Sequence, residues 1–239
     1  MRAMDVRIGT SGYSYPPWKG SFYPEDLPNA RMLSYYGERF STVEINNTFY
    51  RMPTAKILAQ WASQVPAGFR FALKASQRIT HQKRLKDAGE TVEYFFRTAA
   101  ELGERRGPTL IQLPPNFKKD VPRLESFLAL LPRDARAAVE FRHESWFDDE
   151  VWAALRAGGA ALCVAESDEL ATPMVATCDF GYLRLRRAAY DQAALADWAE
   201  RISAQPWREA YVYFKHEEEG MGPKLAAQLS NLIRSNPDR

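Results

Sequence analysis

The sequence predicts one (β/α)8 TIM barrel spanning residues 1–239. Three observations lead there. Strand-like runs recur eight times, helix-patterned segments separate most of them, and no Gly-x-Gly-x-x-Gly turn follows the first run to favour an open dinucleotide-binding sheet. The chain length of 239 residues lies within the range such barrels occupy as a single domain.

The runs are 6–12, 42–50, 69–75, 109–114, 137–143, 160–167, 180–187 and 209–216. In a barrel strand one parity faces the helical ring and the other the axis, so the apolar parity marks the outside. Val43 and Ile45 turn Glu44 and Asn46 inward, Leu73 turns Lys74 inward, and Ile111 with Leu113 does the same for Gln112. Val139 and Phe141 leave Glu140 and Arg142 inside. Leu183 and Leu185 leave Tyr182, Arg184 and Arg186 inside, and Val212 and Phe214 leave Tyr213 and Lys215. In the sixth run Leu162 and Val164 set Glu166 outward unless the strand end bends.

Between the runs, Ile57, Leu58, Trp61 and Val65 carry helical spacing, as do Leu124, Phe127, Leu128 and Leu131. Further helices are predicted near 30–39, 88–104, 148–157, 191–203 and 222–235. Pro122 suits a first helical turn, and Asp148, Asp149 and Glu150 sit at the positive end of the helix they open. The sixth connection, 168–179, contains Thr172-Pro173 and is too short for a crossover helix, so the sixth helix is predicted short or missing.

Composition is that of an ordinary globular chain, with 46% hydrophobic and 26% charged residues. A net charge of +2 does not demand a polyanionic partner. Cys163 and Cys178 suit reduced core thiols better than a disulfide. No signal-like h-region and no run of about 18 apolar residues occurs, which predicts a cytoplasmic protein with no membrane partner. No Ser nucleophile elbow, Walker loop or zinc-protease helix is present.

The inward polar residues all fall toward the C-terminal halves of their strands, where barrel enzymes assemble their sites. Lys74, Arg142, Arg184 and Lys215, with Arg186, Arg187 and His216 nearby, outnumber Glu44 and Glu140. An anionic ligand would balance them, and phosphate commonly binds near strands seven and eight of such barrels. The competing reading is a structural ion-pair layer without chemistry. Above the mouth, residues 13–24 alternate aromatics and prolines, a wall able to stack a sugar or base or merely to cap the barrel. Residues 77–86 form the most basic stretch, a phosphate contact or a solvated loop.

Several stretches resemble the YecE-like proteins, a family classed as a domain of unknown function with a TIM-barrel fold. They are Ile8-Gly9-Thr10-Ser11-Gly12-Tyr13, Phe22-Tyr23-Pro24, Val43-Glu44-Ile45-Asn46-Asn47-Thr48-Phe49-Tyr50 and Phe71-Ala72-Leu73-Lys74 with Ile79-Thr80-His81. Gln112-Leu113-Pro114-Pro115, Val139-Glu140-Phe141-Arg142-His143 with Ser145-Trp146, and Tyr182-Leu183-Arg184-Leu185 continue the match. The resemblance implies the barrel and no particular activity. The chain departs from the family pattern at Arg186-Arg187, where a His-Gly pair is usual, and at Lys215-His216, where an Asn-containing stretch is usual.

The fold is also similar to that of metal-dependent sugar isomerases and apurinic endonucleases, an analogy that carries no function by itself. With only His81, His143 and His216, a multi-zinc site is not expected. No metal or cofactor is predicted, a single divalent ion on Glu44, Glu140 or Glu166 with His143 being the alternative.

The leading expectation is an enzyme acting on a small phosphorylated or otherwise anionic, sugar-like substrate. Glu44, Glu140, Lys74 and His81 are the candidate catalytic residues, with Glu140 or Glu44 as general acid or base. Candidate binding residues are Tyr13, Trp18, Asn46, Tyr50, Gln112, Arg142, His143, Trp146, Arg184 and Lys215. The alternative is a nucleic-acid-binding or processing protein using the aromatic loop and the segment 78–86. A third reading is a partner-binding protein with an inactive mouth.

Overall fold

Eight parallel strands alternate with helices in the computed structural model, which describes residues 4–235. The strands are β1 (Asp5–Thr10), β2 (Thr42–Ile45), β3 (Arg70–Lys74), β4 (Arg106–Gln112), β5 (Ala137–Glu140), β6 (Ala161–Glu166), β7 (Phe180–Leu185) and β8 (Glu209–Phe214). The helices are α1 (Met32–Gly37), α2 (Asn47–Tyr50), α3 (Ala55–Ser63), α4 (Gly89–Ala99), α5 (Val121–Leu128), α6 (Asp149–Ala157), α7 (Gln192–Ser203) and α8 (Met221–Arg234). Every ladder is parallel, in the order β1-β8-β7-β6-β5-β4-β3-β2. This is the near-closed TIM-barrel-like sheet that the recurring runs predict.

The seam between β1 and β2 is closed by local devices rather than a full ladder. A single parallel bridge joins Ser11 to Glu44, and the Gly12 N–H donates to the Glu44 carbonyl at 2.8 Å. The buried Tyr36 hydroxyl of α1 accepts from the Thr10 N–H at 2.8 Å and donates to the Thr42 carbonyl at 3.1 Å. Gly9 permits this approach, since a Cβ there would sit 2.2 Å from the Thr42 carbonyl oxygen.

Helix starts follow side-chain chemistry. The carboxylates of Asp120, Asp148 and Asp191 accept the backbone N–H groups of Arg123, Glu150 and Ala194, and Thr54 caps α3 through the Ile57 N–H. No helix lies between β6 and β7. There, the Thr177 hydroxyl donates to the Ala160 carbonyl and accepts the Leu162 N–H, tying the return loop to β6.

Two apolar clusters fill the space between the sheet and the helices. A third lies inside the barrel and is built of small residues and tyrosines: Ala72, Leu110, Ala138, Cys163, Ala165, Tyr182, Tyr211 and Tyr213 among them. Small side chains leave room on the axis, and the tyrosine rings fill it while carrying hydroxyls toward polar partners. At the N-terminal end an Arg136–Glu209 ion pair closes the barrel, with the guanidinium over the Phe180 and Tyr211 rings.

The structure shortens several predicted strands at their C-terminal ends. β2 stops at Ile45, and residues 47–50 form a helical turn because the Thr48 hydroxyl bonds to the carbonyls of Ile45 and Lys74 instead of continuing the ladder. β5, β7 and β8 end before Arg142, Arg186 and Lys215, which therefore sit on loops. The sixth strand is resolved in favour of the outward parity for Glu166, which accepts from the Trp198 indole of α7 at 3.1 Å. Among the described residues no helix is long and apolar enough to cross a membrane.

Candidate active site

The C-terminal end of the barrel is organised around Arg184, whose side chain is 3% exposed on the axis. β7 places it there because Leu183 and Leu185 take the outward parity and are fully buried against the helices. One guanidinium nitrogen, Nη1, donates to Glu140 Oε2 at 2.6 Å, and the other, Nη2, to Glu44 Oε1 at 2.9 Å. A single planar fork thus bridges carboxylates from β2 and β5, a geometry that one lysine ammonium cannot reproduce.

Each carboxylate is fully engaged. Glu44 Oε1 also accepts from the Ser11 hydroxyl at 2.5 Å and Oε2 from the Tyr182 hydroxyl at 2.7 Å. Glu140 Oε2 accepts from Gln112 Nε2 at 2.8 Å, while Oε1 takes Arg142 Nε at 3.0 Å and faces Arg186 Nη2 at 3.5 Å. Burial by itself would raise the Glu140 carboxyl, but the guanidiniums of Arg184, Arg142 and Arg186 overcome it and hold the group far below the usual carboxylate range. A carboxylate so held cannot deliver a proton near neutral pH. Every carboxylate oxygen of Glu44 and Glu140 has a hydrogen-bond or ion-pair partner, an arrangement suited to anchoring and orienting the cations.

Lys74, at the end of β3, is built differently. It is 9% exposed and, among the described residues, no carboxylate pairs with it. Its ammonium instead lies 4.0 Å from the centroid of the Phe49 ring. Burial first, and then the Arg184 charge, lower its pKa to about 8. His81 meets the same Phe49 ring edge-on at 4.9 Å, and its Nδ1 shares a 2.9 Å hydrogen bond with the Thr80 hydroxyl. Burial, then the Lys74 charge, lowers the His81 pKa, so its imidazole is neutral near pH 7.

Asn46 Nδ2 donates to the Ser11 hydroxyl at 2.7 Å, which links the network to a pocket of about 110 Å³. Tyr13, Tyr15, Asn46, Asn47 and Trp61 are among its walls. That space matches a group of a few heavy atoms, since each water in the liquid occupies about 30 Å³. The mouth over Glu140 is the more open side: the Arg142 side chain is 32% exposed and that of Arg186 18%. A larger groove of about 760 Å³ lies outside the barrel between α1 and α8, remote from these groups.

Of the residues expected from sequence, the structure gathers Glu44, Glu140, Asn46, Gln112, Arg142 and Arg184 into one network, with Lys74 and His81 beside it on the Phe49 ring and Tyr13 at the pocket. Five others stand apart. Trp18 and Trp146 are fully buried, their indole N–H groups donating to the carbonyls of Glu217 and Phe117, so both are packing residues. Tyr50 rides the helical turn and is 72% exposed. Lys215 follows β8 into solvent, with no side-chain bond to the network among the described residues. His143 uses Nδ1 to accept the Ser145 N–H, capping a short turn at the rim.

Glu166 points to α7, so the divalent site imagined from Glu44, Glu140 or Glu166 with His143 loses one of its members. Among the described residues no three His, Cys, Asp or Glu side chains cluster as a metal site. Sequence reasoning missed Ser11 and Phe49. The outward Ile8 already puts Ser11 on the axial parity, whereas Phe49 reaches Lys74 only because β2 gives way to a turn.

Fold and site together define an α/β barrel with a buried arginine–dicarboxylate bridge beneath a cationic mouth. The chain belongs to the DUF72 family, described as a protein of unknown function, whose family model matches residues 7–239. It is 31% identical over 143 residues to the UPF0759 protein YecE of Escherichia coli strain K12, a match covering 59% of this chain and 50% of that protein. The chain thus spans about half the length of that relative. It is 24% identical to the UPF0759 protein YunF of Bacillus subtilis strain 168, across 90% of this chain and 80% of that protein. Among solved structures, a DUF72 family protein from Thermotoga maritima superposes with a TM-score of 0.87 at 31% identity, covering 96% of this chain and 99% of its own.

Proposed function

We propose that the protein is an enzyme acting on a small anionic substrate bound at the C-terminal mouth, between the Arg142–Arg186 rim and Lys74. The observation that carries this reading is the charge imbalance. Two buried carboxylates are met by three guanidiniums and one lysine, and among the described residues the lysine makes no ion pair. Like charges crowded at low dielectric are unfavourable, and an incoming carboxylate or phosphate relieves them. Lys74 and His81 carry the chemistry in this reading, because Glu44 and Glu140 have no free oxygen.

Part of what a nucleic-acid reading would use is engaged in internal packing, although Arg78 and Lys86 are exposed. Trp18, Phe22 and Tyr23 pack on one another and on Tyr35 and Tyr36, while Arg84 bonds to Asn116 and Ile79, Thr80 and Leu85 are buried. A thermal titration with inorganic phosphate, a neutral sugar and a short oligonucleotide separates the readings. Phosphate at 100 times its dissociation constant is expected to stabilise by about 2.7 kcal/mol, about 5–10 °C for a chain of this size. Stabilisation by the oligonucleotide alone, fading steeply as salt rises, would instead support nucleic-acid binding.

A further inference from the structure

Resting on the anion-site reading, we propose that Lys74 is a nucleophile that captures a small anionic carbonyl compound, a 2-oxo acid or an aldehyde bearing carboxylate or phosphate, as an imine. Lys74 stands at the C-terminal end of a barrel strand, nearly buried, over an aromatic face and, among the described residues, without an ion-pair partner. A lysine retained for structure would take one of the two carboxylates on the same axis. Here both are already paired with Ser11, Tyr182, Gln112, Arg142 and Arg184, and among the described residues the Lys74 ammonium makes no direct ion pair with either.

A nearby guanidinium and an apolar wall are the two settings that favour a neutral, nucleophilic amine, and Lys74 has both. Its lowered pKa of about 8 agrees with that placement. Arg142, whose charge acts on Lys74, and Arg186, which faces the same Glu140 carboxylate as Arg142, supply the complement to the substrate's anionic group, and so hold the carbonyl carbon near the amine.

The step balances without a redox partner. The Lys74 nitrogen forms a bond to the carbonyl carbon as the C=O π bond breaks, and the oxygen takes up a proton as the nitrogen loses one. The resulting hydroxyl then leaves as water with a second proton taken up from solvent, and the nitrogen lone pair closes the iminium. His81, on the same Phe49 ring and neutral near pH 7, is placed to receive the proton from nitrogen and return it to oxygen.

The test is reductive trapping. The full chain is incubated with glyoxylate and cyanoborohydride, and the modified lysines are located by peptide mass spectrometry, with phosphate as competitor and Lys74→Arg as the variant. Arginine keeps the charge and cannot form the imine. The expected result is labelling of Lys74 ahead of Lys83, Lys86 and Lys215, suppressed by phosphate and absent at that position in Lys74→Arg. Phosphate binding with labelling spread over exposed lysines and none preferred at Lys74 overturns the nucleophile and leaves the anion site standing. Failure of both phosphate binding and Lys74 labelling overturns both.

Discussion

Replacing Lys74 with Met tests the idea that this residue is kept at the expense of stability. Lowering a lysine from its ordinary 10.5 to about 8 corresponds to about 3 kcal/mol of folding free energy forgone while the group is charged. Met fills similar volume against Phe49 and loses a cation–π contact of about 1 kcal/mol. The variant is therefore expected to be more stable at pH 7 by about 2 kcal/mol, a rise in Tm of about 4–8 °C. The sign fixes the pH dependence. Below pH 8 the amine is charged in both the folded and unfolded chain and the full penalty applies. Between about 8 and 10.5 the folded chain has released a proton that the unfolded chain retains, so wild-type stability climbs and the gap closes. Urea unfolding of both proteins from pH 6 to 10 measures it. A variant less stable than wild type at pH 7, or a difference that ignores pH, would refute the reasoning.

Substituting Arg184 with Met leaves Glu44 and Glu140 buried without their bridge, and a loss of about 3–5 kcal/mol in urea unfolding is expected. Arg184→Lys recovers little of it, since one ammonium cannot span both carboxylates. Glu140→Gln removes a carboxylate whose folded pKa is depressed, so its contribution is full above about pH 4.5 and vanishes as acid protonates it. Wild type is expected to lose stability steeply below that pH. The variant starts lower at pH 7 and has a flatter acid limb, as unfolding at a series of pH values will show.

Much of this site is legible in the alternation of apolar residues. Val43 and Ile45, Val139 and Phe141, and Leu183 and Leu185 fix which side chains face the axis, because burial against the helices leaves no choice of register. The strand ends are less legible. Polar residues such as Asn46 and Lys215 continue the alternation after the backbone has left the ladder, and only the bond from Thr48 to Lys74 shows where β2 turns aside. Pairing is not written in the pattern either. Glu44, Glu140, Lys74 and Arg142 read alike as inward charges, yet three close into a saturated network and one stands over a ring. The aromatic loop misleads for the same reason: whether Trp18 stacks a ligand or the protein depends on partners distant in sequence, here Tyr15, Tyr23 and the carbonyl of Glu217.

The most direct test of the anion site is a phosphate titration followed by calorimetry on three proteins: wild type, Arg142→Ala at the mouth, and Lys224→Ala in the outer groove. The account predicts one site per chain in wild type and Lys224→Ala, with affinity falling about tenfold or more in Arg142→Ala, in line with the about 1.5–3 kcal/mol of a charged hydrogen bond. Binding unaffected by Arg142→Ala but lost in Lys224→Ala would place the anion outside the barrel and contradict it.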